Sequence, residues 1–233
     1  MRILDVFQPG LIRGSEHLAF DPEKAYAYIE HPIEGWRVYL RSAVFIHEAN
    51  QPFQEDRFLV FRNVKKGHKP NTWEPPKGQM EGKDFYRKAD VPLVHLLAKS
   101  ALRETQEEGH LDIQGFVDLK YTGLVFQSQE KDYPKNHFFQ YHIFQGFMKS
   151  AAIEASFDKF DWFQEHPKAF ARQSRDKKET DAVAWFSPKK TPLNPRWCPT
   201  IVFSYMKDME RYTKWDSDFI NLTGETGVVQ LNG

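Results

Sequence analysis

The sequence predicts an α+β fold built on a mixed β-sheet, and three observations carry that prediction. Several segments rich in β-branched and aromatic residues carry the strand signature. Other segments repeat apolar residues at the period of a helix. The two kinds follow one another without regular β-α alternation, which argues against an all-parallel sheet. A chain of 233 residues, 40% hydrophobic and 27% charged, can bury one sizeable core and is too apolar for wholesale disorder.

Taken in order, residues 1–34 hold turn signals and one short helical candidate, Asp21 to Glu30, opened by Asp21-Pro22. Trp36 to His47 and Arg57 to Val64 read as strands, separated by a polar loop with Pro52. Lys65 to Thr72 is a basic loop bearing Gly and Pro. Val91 to His110 is a helix. Asp90 stands in the capping position, and Pro92 falls in the first turn, where a missing N–H costs nothing. Leu93, Leu97, Ala101 and Thr105 make its packing stripe, and Gly109 supplies a stop. Phe116 to Phe126 and His137 to Met148 are two more strands; in the second, Phe139, Tyr141, Ile143 and Phe147 share a face. A charged loop, Arg172 to Asp181, leads into a short strand, Asp181 to Phe186. Thr200 to Tyr212 is a closing helix after Pro199. The expected division is an N-terminal extension (1–35), one domain (36–215) and a polar tail (216–233).

With 32 basic and 32 acidic side chains the formal net charge is zero, which argues against broad attraction to nucleic acid or anionic membrane while leaving room for a local basic patch. The single cysteine, Cys198, excludes an intrachain disulfide and a cysteine zinc site, and its expected place is in the core. No apolar run approaches the ~20 residues that span a bilayer, and the first residues lack the apolar core of a signal peptide. The expectation is a cytoplasmic protein with no membrane partner.

The chemistry gathers at the end of the helix, in Arg103-Glu-Thr-Gln-Glu-Glu-Gly109. Glu104, Glu107 and Glu108 stand at i, i+3 and i+4, so their carboxylates crowd one side of the helix. Like charges repel there, and the dipole at a helix C-terminus disfavours anions as well. A divalent cation would reverse the sign of each term. Acids of this kind also occur as a plain solvated face. Here they follow Trp73-Glu-Pro-Pro-Lys-Gly78-Gln-Met-Glu-Gly82-Lys-Asp84, a Pro-Pro turn with two glycines that let backbone approach an ion or phosphate. Oxygen-only ligands point to Mg²⁺, with Mn²⁺ as a substitute, rather than to zinc.

These two segments together resemble the box of the Nudix hydrolases, G-x5-E-x7-R-E-U-x-E-E-x-G-U, where U is a bulky aliphatic residue. Gly78 matches the first glycine, Arg103 to Glu108 match the R-E-U-x-E-E core, and Leu111 matches the final aliphatic. Pro75-Pro76-Lys77-Gly78 is similar to the opening of the box in dinucleoside polyphosphate and diphosphoinositol polyphosphate members. Three departures stand out. Asp84 replaces the first glutamate; an insertion of eleven residues, Phe85 to about Leu96, separates it from Arg103; and His110 stands where the second glycine belongs. Asp84 is the position most exposed to displacement by that insertion.

The resemblance implies an α/β/α sandwich with a mixed sheet and metal-assisted attack of water on a phosphoanhydride. It implies Glu104, Glu107 and Glu108 as Mg²⁺ ligands, with the Gly78 carbonyl as a further one, Glu104 or another acid of the cluster such as Glu108 as base, and Arg103 orienting the carboxylates. Glu179, six residues before Trp185, is the candidate additional metal acid, against a plain solvated loop glutamate. Lys77, Arg41 and Arg62 are candidates for substrate phosphates, and Lys65, Lys66 and Lys69 for a polyphosphate or RNA backbone. Phe126 and Tyr141, with Tyr133 and Phe138 beside them, are candidates for stacking a base, although core is the expected place for most of them. The implied partner is a small nucleotide or polyphosphate, foremost a dinucleoside polyphosphate. A diphosphoinositol polyphosphate, the 5′ end of an RNA, or nucleotide binding without catalysis are the alternatives.

Overall fold

The computed structural model describes residues 2–4, 23, 25–64, 69–85, 91–129 and 133–212. Its strands are β1 (Arg2–Leu4), β2 (Tyr26–Glu30), β3 (Arg37–Glu48), β4 (Leu59–Asn63), β5 (Trp73–Glu74), β6 (Lys77–Gln79), β7 (Phe116–Ser128), β8 (His137–Met148) and β9 (Thr180–Trp185). The helices are α1 (Gly82–Phe85), α2 (Leu93–Gly109), α3 (Ser150–Glu165), α4 (Pro167–Ala171) and α5 (Cys198–Tyr212). The larger sheet runs β1-β2-β3-β8-β7, with β6 also paired to β3; the smaller runs β5-β4-β9. The larger sheet is mixed, because β3 and β8 are parallel over twelve register pairs from Arg37↔His137 to Glu48↔Met148 while its other pairings are antiparallel.

Strand β3 is buried on both faces, and its alternation divides the core. Val38, Leu40, Val44 and Ile46 pack with Leu93, Leu96, Leu97 and Ala101 of α2 and with Ile153 and Phe160 of α3. Ala43 and Phe45 turn the other way, with Tyr141 and Ile143, onto Cys198, Ile201, Val202 and Tyr205 of α5. Helices therefore cover both faces of the sheet, the α/β/α layering that was expected. Cys198 is buried, as expected, and Thr105 completes the stripe of Leu93, Leu97 and Ala101.

Four local expectations are corrected. Within the helical candidate from Asp21 to Glu30, Tyr26–Glu30 is a strand: Tyr28, Ile29 and Glu30 pair with Tyr39, Val38 and Arg37, and sheet pairing overrides the local Asp-Pro signal. Asp21, Pro22 and Asp90 lie outside the described residues, as do Lys65, Lys66 and the tail from Asp216. Pro92 occupies the N-cap position of α2 rather than its first turn, without a side-chain cap. Gly109 is the last residue of α2, and His110 takes the left-handed cap at φ 49°. What Gly109 supplies is room, since a Cβ there would lie 3.0 Å from both Leu111 Cδ1 and Phe61 Cζ. Finally, α3 and α4 fill a stretch for which the sequence reading assigned no element. Of the insertion, Phe85 closes α1 and Leu93 to Leu96 form the first turn of α2.

Candidate active site

The acids of α2 lie against β6. Gly78 pairs with Ser42, and its Cα faces the helix so closely that a Cβ there would fall 1.8 Å from Glu104 Cδ. Met80 N donates to Leu40 O and Val44 N to Pro76 O, so the antiparallel alternation turns the Gly78 carbonyl toward Ser42 of β3. Gly78 thus contributes the space its missing side chain leaves, and the carbonyl that faces α2 belongs to Gln79, which accepts from Arg103 Nη2 at 3.1 Å. One turn on, Lys77 N donates to Glu108 Oε2 at 2.9 Å. Glu104 and Glu108 are both buried.

Arg103 is the hub. Its Nε and Nη2 donate to the two Asp84 oxygens, each at 3.0 Å. Its Nη1 lies 2.7 Å from both Glu104 Oε1 and Glu107 Oε2. Burial opposes the charge on Arg103, and the surrounding Glu104, Asp84 and Glu107 more than offset it. Asp84 also accepts from Glu81 N at 2.9 Å, which fixes the turn that precedes α1. Asp84 therefore stays on Arg103 despite the insertion between them.

Glu81 belongs to the site and was left unassigned in the sequence, although it stands inside the Gly78 to Asp84 segment. Burial raises its carboxyl above the usual range, against the pull of Arg103 and of Lys83, whose Nζ lies 3.1 Å away. Lys83 also approaches Glu107 Oε1 at 3.6 Å.

The remaining candidates separate into two groups. Glu179 closes a short turn, its carbonyl accepts from Val64 N, and the hydroxyl of the adjacent Thr180 donates to the Glu108 carbonyl, so Glu179 stands beside the end of α2. Arg41, Tyr141 and Phe126 form one register row across β3, β8 and β7. Arg41 donates to Gln79 Oε1 at 2.9 Å and to the Tyr141 hydroxyl at 2.8 Å. Lys77 turns its ammonium to Glu74 Oε1 at 2.9 Å; burial opposes its charge, and Glu74 and Glu108 outweigh burial and hold the lysine well above the ordinary range.

Glu74, buried and also bonded by Asn63 Nδ2 at 2.8 Å, went unrecognised in the sequence because Asn63 and Asn194 lie far from it along the chain. Arg62 holds Asp181 through both Nε (2.6 Å) and Nη2 (3.0 Å), and so ties β4 to β9. Of the other aromatic candidates, Phe138 packs against the α2-side core, and Tyr133 lies edge-on to Phe139 at 4.7 Å.

Among the described residues no three Asp, Glu, His or Cys side chains converge on one point, because Glu104 and Glu107 share the guanidinium of Arg103. The donor set is nonetheless made of hard carboxylate oxygens, which suit Mg²⁺ or Mn²⁺. Glu104 can exchange its guanidinium contact for an ion without releasing Arg103, which keeps Asp84 and the Gln79 carbonyl. The acids therefore fit such an ion in kind and in freedom to turn.

No family model and no curated protein matches the chain. Solved structures do. A NUDIX hydrolase from Nitrosomonas europaea is 15% identical at a TM-score of 0.43, over 78% of this chain and 94% of that one. A NUDIX hydrolase from Alicyclobacillus acidocaldarius is 14% identical at 0.43, over 73% and 91%. A C. elegans Ap4A hydrolase binary complex is 13% identical at 0.41, over 76% and 98%. Among the described residues, no helix is long and apolar enough to cross a membrane.

Proposed function

We propose that the chain is a Mg²⁺-dependent Nudix pyrophosphohydrolase that cleaves a phosphoanhydride bond in a nucleoside-diphosphate-linked substrate, foremost a dinucleoside polyphosphate. The observation that carries this reading is the seating of Glu104 on Gly78: glycine and glutamate, twenty-six positions apart, meet with no room for a Cβ between them. A solvated acidic face would have no use for that fit. The box glycine and the box acids form one unit across the insertion, with Arg103 and Asp84 bracing it.

In this reading Glu104, Glu107 and Glu108 hold Mg²⁺, with Glu179 as an additional acid. When bound, the ion would neutralise phosphate oxygens and make water a better nucleophile. The chain's own residues do the rest. Glu104 takes the water's proton, Arg103 fixes the direction of Glu104 and Glu107 through charge-assisted bonds, and the Lys77 N–H orients Glu108.

A second reading, processing of RNA 5′ ends, is favoured by Arg172, Arg175 and Lys177, all exposed on the segment that leads to Glu179. The test is product analysis with dinucleoside polyphosphates, nucleoside triphosphates, a diphosphoinositol phosphate and capped RNA, with Mg²⁺ and with EDTA. Turnover of one class that needs the metal and disappears in Glu107→Gln supports the proposal and names the substrate. No metal-dependent turnover of any member, with nucleotide still bound, leaves a binding module instead.

A further inference from the structure

The two edges of the larger sheet differ in length. At one side β1 ends it with three residues, too few to template another strand. At the other side β7 ends it with thirteen, and among the described residues only β8 pairs with it. An edge of that length presents every second N–H and C=O outward, and proteins commonly blunt such an edge with lysine or with bulges. The register of β7 shifts at Phe116/Asp118 and at Tyr121/Val125, and the two shifts bracket one regular stretch. Within it Asp118, Leu119, Lys120 and Tyr121 pair in unbroken order with Phe147, Gly146, Gln145 and Phe144. The lysine of this stretch does not stand alone. Lys120 Nζ lies 3.6 Å from Asp118 Oδ2, and the two side chains keep 36% and 48% of their exposure. Val117, next along the strand, is exposed as well.

We infer that the outer edge of β7 is a dimer interface whose occupant is β7 of a second copy of this chain, paired antiparallel about a two-fold axis at Leu119. The charge pattern selects both partner and register. A two-fold axis through the joined sheet keeps every residue on its own face, so each residue stands opposite itself or one an even number of places away. Centred on Leu119, Asp118 of each copy meets Lys120 of the other, and the axis makes two opposite-charge pairs. Centred on Asp118 the aspartates meet, and centred on Lys120 the lysines meet, so either neighbouring register sets like charges face to face. A lysine that served only to blunt the edge would repel its own copy. An aspartate two places away on the same face turns that repulsion into attraction in one register. Leu119 and Tyr121 point to the other face, where they pack against the α2-side core, so the axis also brings leucine beside leucine there. The bulges confine pairing to this short stretch, and a contact that uses the same patch on both copies closes on itself, which gives a dimer rather than a growing ribbon.

The experiment is sedimentation velocity of the full chain over a dilution series, at low and high salt. The native chain should show a reversible monomer–dimer equilibrium that salt weakens, because the paired charges are exposed. Lys120→Asp sets aspartate against aspartate in both pairs and should weaken association at least about tenfold. Asp118→Lys combined with Lys120→Asp exchanges the charges, restores both pairs, and should return association to within about threefold of native. A native chain that stays monomeric at every concentration overturns the inference, as it would if this edge served a strand of another protein. So does a dimer that Lys120→Asp leaves unchanged, or one that the exchange fails to restore. Should Lys120→Asp fail to fold by circular dichroism, Leu119→Cys decides. Cys198 is buried, so oxidation acts on the introduced thiols, which meet only at the axis. Leu119→Cys should cross-link two copies readily, and Gln127→Cys, exposed on the same strand but remote from the axis, should not. Cross-linking no faster in Leu119→Cys than in Gln127→Cys overturns the inference.

Discussion

Arg103 grips Asp84 with a two-bonded fork, Nε to Oδ1 and Nη2 to Oδ2, each at 3.0 Å, although the two residues stand nineteen positions apart. Both side chains are largely withdrawn from water, so each depends on the other to offset its desolvation. Asp84→Asn keeps the shape and removes the charge, which leaves a buried guanidinium short of an acceptor. The expected loss of stability is about 3 kcal/mol in urea denaturation, with a fall in any phosphoanhydride hydrolysis, because the same guanidinium orients Glu104 and Glu107. A variant as stable as the native chain would show that the fork is incidental.

Gly78→Ala tests the seat of Glu104. The added methyl would occupy the place of the Glu104 carboxyl group, at 1.8 Å from Cδ, so one of the two must leave. The carboxylate on its rotatable stem is the one that can move, and β6 keeps its pairing with β3. Hydrolysis should therefore fall at least about a hundredfold, as for loss of a general base, while the circular dichroism spectrum is retained. Activity within a few-fold of native would place the chemistry away from Glu104.

Arg62 offers the converse case. Its fork onto Asp181 straps β4 to β9, and both side chains keep about a third of their exposure, at 31% and 32%. Arg62→Ala should cost about 1 kcal/mol of stability and leave KM within about twofold, as befits a partly solvated ion pair whose guanidinium is already committed to Asp181. A large rise in KM with unchanged stability would return Arg62 to the phosphate site.

How much of this was legible in the sequence depends on how local the signal is. The long strands β3, β7 and β8 announced themselves because each carries its own run of aromatic and β-branched residues, and α2 did so through Leu93, Leu97, Ala101 and Thr105. The spacing Ile153, Ser156, Phe160, Phe163 is helical too, and it marks the buried face of α3, but its aromatic content and a serine within the stripe disguise it. Strand β2 was misread because its own strand formers, Tyr26, Tyr28 and Ile29, make only a short run behind the Asp21-Pro22 helix-start signal, and pairing with β3 completes it. At the site, the acids and Gly78 were visible as spacing. What joins them was not: the Arg103–Asp84 fork spans an insertion.

Acid should destabilise the fold through its buried histidines. Burial lowers His47, His110 and His142 from the ordinary 6.5 to about 4. His142 has its Nδ1 against the Tyr121 hydroxyl at 2.9 Å, and His47 has its Nε2 against the Tyr205 hydroxyl at 2.6 Å. Because the folded pKa lies below the unfolded one, the two states bind equal protons at these rings above about pH 7. Between 6.5 and 4 the unfolded chain binds more. Stability is therefore highest at neutral pH and falls as the pH drops through that window, by about 2 kcal/mol at pH 5 for a wholly buried ring such as His142. Urea midpoints measured from pH 7.5 to 5 should decline with an uptake on unfolding that approaches three protons from these rings. His142→Gln should reduce that uptake by about one. A midpoint that holds level across the window would mean that the rings reach solvent and titrate alike in both states.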